Sequence, residues 1–191
     1  MTSMKTLILN GSPRKHGDTS ALLAELKKHL SGDIQEISAY YGNIGPCTDC
    51  RYCWKHDGCS IDDGMQAVYQ ALENADNIVI ASPLYFSQLT GPLLSLASRL
   101  QRYYAARRFR GEKPLAGKTR RGGLILVGGG DGKAAPAIEM ADTLFRLVNN
   151  KRLGMVLSHK TDERPAAMDA EALEKVRELA HALNGGGQGD G

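Results

Sequence analysis

Asn10-Gly11-Ser12-Pro13-Arg14-Lys15-His16-Gly17-Asp18-Thr19-Ser20 is the stretch on which the reading of this chain turns. The apolar run Leu7-Ile8-Leu9 leads into it, and the amphipathic run Ala21-Leu22-Leu23-Ala24-Glu25-Leu26 leads out of it. A strand, a tight loop and a helix start therefore follow one another. Glycines such as Gly11 and Gly17 let backbone N–H groups come close to a ligand. The opening turn of a helix presents unpaired N–H groups and the positive end of the helix dipole. Together these make an anion site, most often for phosphate. The hydroxyls of Ser12, Thr19 and Ser20 can donate to phosphate oxygens, and Arg14 adds a forked charge. The purely structural alternative is an ordinary strand-to-helix turn capped by Asp18 or Thr19.

Two familiar phosphate loops are excluded by letter. A P-loop needs Gly-x-x-x-x-Gly-Lys-Ser/Thr. Here five residues separate Gly11 from Gly17, and Asp18 stands where the lysine belongs. The dinucleotide fingerprint Gly-x-Gly-x-x-Gly is also absent from this loop.

Working outward, the same punctuation recurs. Strands are expected over 5–10, 34–38, 77–81, 123–127 and 153–157. Helices are expected over 19–30, from Asp62 or Asp63 to 74, and over 91–105, 136–149 and 170–183. A cysteine-bearing loop covers 43–61. The chain reads as one domain over 1–184 with a flexible glycine-rich tail over 185–191. Strands alternating with helices predict an α/β fold with a parallel sheet, and five strands suit the doubly wound order 2-1-3-4-5. In such sheets ligands lie beyond the carboxyl ends of the strands, near the switch point. Three special loops fall there. The first is the stretch from Asn10 to Ser20, the second is Ser82-Pro83-Leu84-Tyr85-Phe86, and the third is Gly128-Gly129-Gly130. One small phosphate and one flat, largely apolar body is the ligand shape this implies, and flavin mononucleotide (FMN) fits it. Core packing under the sheet edge is the alternative use of Tyr85 and Phe86.

The 191 residues are enough to bury a proper core, and 42% hydrophobic with 24% charged residues is a globular mix. No apolar run approaches the roughly 20 residues of a membrane helix. The opening Met1-Thr2-Ser3-Met4-Lys5 carries no apolar signal-peptide core, so the expected location is cytoplasmic. A net charge of +3 does not by itself argue for nucleic acid.

The first loop, the Ser82–Phe86 stretch and Asp62-Asp63-Gly64-Met65 together resemble the flavodoxin-like NADPH-dependent FMN reductase family, most closely its iron–sulfur flavoprotein branch. The resemblance covers about residues 4 to 160. It implies a flavodoxin-like three-layer sandwich. It also implies an enzyme passing electrons from NAD(P)H through FMN to an acceptor such as a flavin, a quinone or an iron–sulfur cluster. By that likeness Ser12, Arg14, Thr19 and Ser20 take the FMN phosphate, with Gly17 in the same loop. Pro83, Leu84, Tyr85 and Phe86 lie along the isoalloxazine, with Gly128 and Gly129 supplying backbone nearby. The family often ends the following helix on an Asp-Arg pair; this chain has Ser98-Arg99. Because the cofactor carries the hydride chemistry, no protein acid or base is assigned a catalytic role.

Cys47-x-x-Cys50-x-x-Cys53 followed by Cys59 is a compact set of four thiols. Such clustering in a reducing compartment favours metal or redox chemistry over structural disulfides. Its spacing is similar to that of the iron–sulfur flavoproteins, and a 4Fe-4S cluster is one occupant. Zinc, a disulfide, or thiols with no metal are the alternatives. Between Arg99 and Arg121 stand nine Lys or Arg and one acid, Glu112, with Tyr103, Tyr104 and Phe109 interleaved. A solvated helix end and loop is the expected reading of this stretch; nucleic-acid binding and recognition of the NADPH 2′-phosphate are the others. Two rival functions follow. One is a flavodoxin-type electron carrier without NAD(P)H turnover, and the other is a nucleic-acid-binding regulator using 99–121. A flavin with one exposed face, beside the apolar helix 93–100 and Tyr103-Tyr104, predicts a homodimer or homotetramer.

Overall fold

The apolar runs read as strands pair into one parallel sheet. In the computed structural model, which describes residues 3–185, these are β1 (Lys5–Asn10), β2 (Asp33–Ser38), β3 (Asn77–Pro83), β4 (Arg120–Val127) and β5 (Asn150–Ser158). Their order is β2-β1-β3-β4-β5, as expected. The helices are α1 (Asp18–His29), α2 (Tyr52–Lys55), α3 (Met65–Asn74), α4 (Gly91–Arg99), α5 (Gln101–Phe109), α6 (Ala135–Leu147) and α7 (Ala170–Leu183), with a 3₁₀ turn at Ala166–Met168. Residues 186–191 of the expected glycine-rich tail lie outside the described residues.

Side chains alternate across the sheet although the strands read as continuous apolar runs. Leu7, Leu9, Ile78, Ile80, Leu124 and Leu126 enter one core, which α3 to α6 cover. Ile8, Val79, Ala81, Ile125 and Val127 enter the other, which α1 and α7 cover. The result is three layers. β2, the strand with a polar alternation, is an edge strand and stays largely exposed.

The sequence predicts one helix over 91–105; the structure has two, meeting at Leu100. The cause is a competing hydrogen bond. The Arg99 carbonyl accepts the buried Tyr69 hydroxyl at 2.9 Å, and the Tyr103 N–H bonds Leu100 O at 2.9 Å. A side chain inserted into the helical ladder breaks it there. The short α2 inside the cysteine loop was not expected from its pattern, because four residues carry no readable period.

The basic stretch is corrected in part. Arg99 and Arg120 are not solvated: they are 2% and 3% exposed. The Arg120 Nε donates to Leu72 O at 3.0 Å and Nη2 to Glu73 O at 3.3 Å, satisfying carbonyls at the end of α3. Arg110 pairs with Glu112 and Asp57, and Arg102 with Asp57. With Lys118 paired to Asp76 as well, five of the nine cations of the stretch are buried or ion-paired.

Candidate functional site

The first loop is a folded turn held by its own polar groups. Asn10 Oδ1 accepts the Ser12 N–H at 2.8 Å, while Asn10 Nδ2 donates to Glu36 on β2 at 2.7 Å. Ser12 Oγ accepts the Arg14 N–H at 3.2 Å, and Ser20 Oγ donates to Arg14 O at 2.9 Å. Tyr41 Oη donates to Pro13 O at 2.6 Å, and Lys15 lies over the Tyr41 ring. Gly17, in extended backbone, is the residue before α1. The first helical hydrogen bond runs from Ala21 N–H to Gly17 O, so the amides of Asp18, Thr19 and Ser20 have no helical acceptor. Ser12, Arg14, Gly17 and Ser20 line one cleft of about 1010 Å³, with Glu36, Ser38 and Tyr41 on its β2 side.

Three members of the stretch serve structure. Thr19 is 2% exposed and does not line the cleft. Asp18 sends its carboxylate across the fold to accept the Ala166 N–H at 2.9 Å, rather than capping α1. Gly11 donates its N–H to Ala81 O and accepts the Thr90 hydroxyl at 2.8 Å. A Cβ there would sit 2.8 Å from Leu93 Cδ2, so α4 approaches too closely for any side chain. The sequence offered no signal for this, because α4 lies some 80 residues away.

The second loop ends β3. Pro83 is still in the strand, and the Leu84 N–H bonds Val127 O at 2.7 Å. Tyr85 and Gln88 then exchange two backbone hydrogen bonds, 2.9 and 3.0 Å, around Phe86 and Ser87. Both of these have positive φ, 52° and 64°. A bulky residue in the left-handed region is strained, and Phe86 bears this strain with its ring fully exposed. Tyr40, just beyond β2, brings its phenol to the Tyr85 phenol and the Thr90 hydroxyl; burial and the Tyr85 phenol push its pKa upward. The second loop and the end of β2 therefore meet.

The third loop is engaged from behind. The Thr161 and Asp162 N–H groups bond Gly128 O and Gly129 O at 3.1 and 3.2 Å. A Cβ on Gly129 would sit 2.5 Å from Asp162 Oδ2, and one on Gly128 3.1 Å from His159 Nδ1 and 3.5 Å from Leu84 Cδ1. Gly128 thus touches the second loop, whereas Gly129 is covered by the turn that follows β5. These residues adjoin one another and do not line the cleft of the first loop.

The four cysteines are free and line one separate cavity of about 450 Å³. Cys50 Sγ lies 3.2 Å from Ser60 Oγ. That hydroxyl, with the Tyr52 N–H, holds the Cys50 thiol pKa below its ordinary value. Burial, joined by the other three thiols, pushes Cys53 upward. Trp54 stacks on Phe109 at 4.1 Å between ring centroids and closes one side of the cavity. Arg110 donates to the carbonyls of Cys53 and His56. Among the described residues no three His, Cys, Asp or Glu side chains converge to hold a single metal ion. The four thiols line one shared space, and thiolates are the donor set that iron–sulfur clusters take. Ser98, where the family often has aspartate, accepts the Cys47 N–H at 2.9 Å. Among the described residues no helix is long and apolar enough to cross a membrane.

Comparison with known proteins agrees with this architecture. An iron–sulfur flavoprotein of Archaeoglobus fulgidus is 29% identical over 133 residues, covering 68% of this chain and 57% of the relative. One of Methanocaldococcus jannaschii is 32% identical over 131 residues, covering 67% and 63%. The chain thus spans about three fifths of the length of these relatives. Among solved structures, an FMN-dependent NADH-azoreductase of Bacillus anthracis in complex with FMN aligns with a TM-score of 0.67 at 20% identity, over 94% of this chain and 99% of that one. At that identity it speaks for the flavodoxin-like fold. The model of the NADPH-dependent FMN reductase family matches residues 4–178, and this chain belongs to that family.

Proposed function

We propose that the chain is an oxidoreductase that binds FMN at the carboxyl edge of its sheet and passes electrons from NAD(P)H to an acceptor. The observation that carries this reading is the convergence of Ser12, Arg14, Gly17, Ser20 and the first-turn amides of α1 on one cleft at the carboxyl end of β1. A phosphate there receives forked charge from Arg14 and N–H donation from the helix start. Leu84, Tyr85, Phe86 and Gly128, adjoining at the ends of β3 and β4, form the bed for the flat ring system. The strained, exposed Phe86 gains its contact there. Bound FMN supplies hydride acceptance and one-electron release. The chain's own residues bind it, orient it and limit water at its face. Cys47, Cys50, Cys53 and Cys59 hold a 4Fe-4S cluster in this reading, a proposal supported by the shared cavity and by the printed names of the relatives. The family's name supports NAD(P)H as the donor. The physiological partner is a small molecule or protein that accepts electrons.

The test is a visible spectrum and metal analysis of anaerobically purified protein. Flavin bands, NAD(P)H oxidation that depends on FMN, and about four irons per chain are expected. Flavin without NAD(P)H oxidation would instead establish the electron-carrier alternative. Iron below about 0.5 per chain after anaerobic reconstitution removes the cluster and leaves the flavin reading intact.

A further inference from the structure

The largest fully buried side chain belongs to Arg99, at the end of α4. An arginine has no business in a core unless something there needs its donors. Its Nη1 donates to Asp63 Oδ2 at 2.8 Å and to Gly45 O at 3.1 Å, and its Nη2 donates to Ile61 O at 3.1 Å. Asp63 returns the grip: Oδ2 accepts the Gly45 N–H at 3.0 Å, and Oδ1 accepts the Met65 N–H at 3.0 Å. Gly45 lies two positions before Cys47, and Ile61 two positions after Cys59. One ion pair therefore holds both legs of the cysteine loop. Next to it the Gly64 N–H bonds Asn43 O at 3.0 Å, and a Cβ on Gly64 would lie 1.7 Å from Gly42 O, so the legs touch.

We propose that Arg99 and Asp63 are positioning residues. Their buried pair closes the base of the cysteine loop and sets Cys47 against Cys59, so that the four thiols share one cavity before anything binds them. The pair positions the four-thiol site, and only the identity of that site's occupant rests on the proposed function. The physical case is one of entropy and desolvation. An open loop of this length would have to be ordered by its ligand, at the cost of closure entropy. Here the closure is made by protein groups. The guanidinium and carboxylate cannot relax to water, because the Arg99 side chain is 0% and the Asp63 side chain 11% exposed. A buried pair of this kind contributes little net stability but fixes one arrangement over its alternatives. Ser98, adjacent in sequence, adds the bond to the Cys47 N–H. Arg110 holds the far end of the loop by the Cys53 carbonyl.

The experiment uses the full chain loaded with FMN and stripped of metal by a chelator under reducing, anaerobic conditions. Dibromobimane, which fluoresces once it bridges two thiols, reads whether the cysteines stand together. Iodoacetamide reads whether they are accessible singly. In Asp63→Asn and Arg99→Gln we expect bridging to slow by about ten-fold or more. Single alkylation should be as fast as in the wild type or faster, and FMN affinity should stay within about two-fold, because its loops lie on other elements. Arg99→Lys keeps a cation within reach of Asp63, and partial recovery of bridging is expected. Equal bridging rates in wild type and Asp63→Asn overturn the proposal. So does a loss of FMN affinity in proportion to the loss of bridging, since that would be general unfolding. Iron content of reconstituted wild type is measured in parallel. A chain that takes up no iron, yet bridges its thiols only with the pair intact, refutes the cluster and leaves the clasp standing.

Discussion

Arg14 and Gly11 sit three positions apart and do different work. Arg14 lines the cleft and is free to meet an anion, whereas Gly11 is pressed against Leu93 and Thr90. Two substitutions should therefore separate binding from stability. Arg14→Ala is expected to weaken FMN binding by about 1–3 kcal/mol, the worth of a charge-assisted hydrogen bond, with the urea midpoint of the flavin-free protein unchanged. Gly11→Ala should lower that midpoint, by about 1–3 kcal/mol of overpacking, because Leu93 is buried and cannot swing aside. Fluorescence titration with FMN and urea unfolding check both. Equal FMN affinity in the Arg14→Ala protein would count against the phosphate assignment. The placement of the hydroxyls, by contrast, differs within the loop: Ser12 and Ser20 line the cleft, and Thr19 is buried and does not.

Among elements, α4 decides more than its length implies. It supplies Leu93 behind the first loop, Ser98 to Cys47 and Arg99 to Asp63, then stops because Tyr69 takes the Arg99 carbonyl. The Asp63 end of this system titrates. Burial works to raise the Asp63 pKa, but the Arg99 guanidinium and the Gly45 and Met65 amides outweigh it and hold the carboxyl below its ordinary value. A carboxyl depressed in the folded state stabilises the fold above its unfolded value, near pH 4. That stability is lost as pH falls through the depressed folded value. Stability measured by urea unfolding should thus be level near neutrality and decline on acidification below about pH 4, and Asp63→Asn should flatten part of the decline. An unchanged acid slope in Asp63→Asn would show that the depressed carboxyls elsewhere, Glu25, Asp76, Glu112, Asp142 and Asp169, account for all of it.

At the scale of the whole molecule, the exposed aromatics gather where loops leave the carboxyl edge and where α5 ends. Phe86 is fully exposed and Tyr85, Tyr104 and Phe109 are about half exposed. Exposed aromatics of this kind, Tyr85 and Phe86 at the carboxyl edge and Tyr104 and Phe109 beside the cysteine cavity, are suited to burial against a second copy. The FMN-loaded chain is expected to be a homodimer or homotetramer by light scattering at micromolar concentration. A monomer under those conditions refutes that expectation.

The sheet, its order and the three layers were legible in the sequence because they depend on local signals: apolar runs, breaker residues and strand–helix alternation. The first loop was legible for the same reason, since its glycines, hydroxyls and arginine are contiguous and open a helix. What the sequence could not settle was which polar residues the core would claim. Arg99 and Arg120 read as surface cations in a basic stretch, yet each is buried on carbonyls or a carboxylate supplied by segments far away in sequence. Gly11 and Gly129 read as openings for a ligand, yet one makes room for α4 and the other lies under Asp162. The helix over 91–105 broke at Leu100 because a tyrosine from α3 competes for one carbonyl. In every such case the deciding partner is distant along the chain and near in space, and only the folded structure brings the two together.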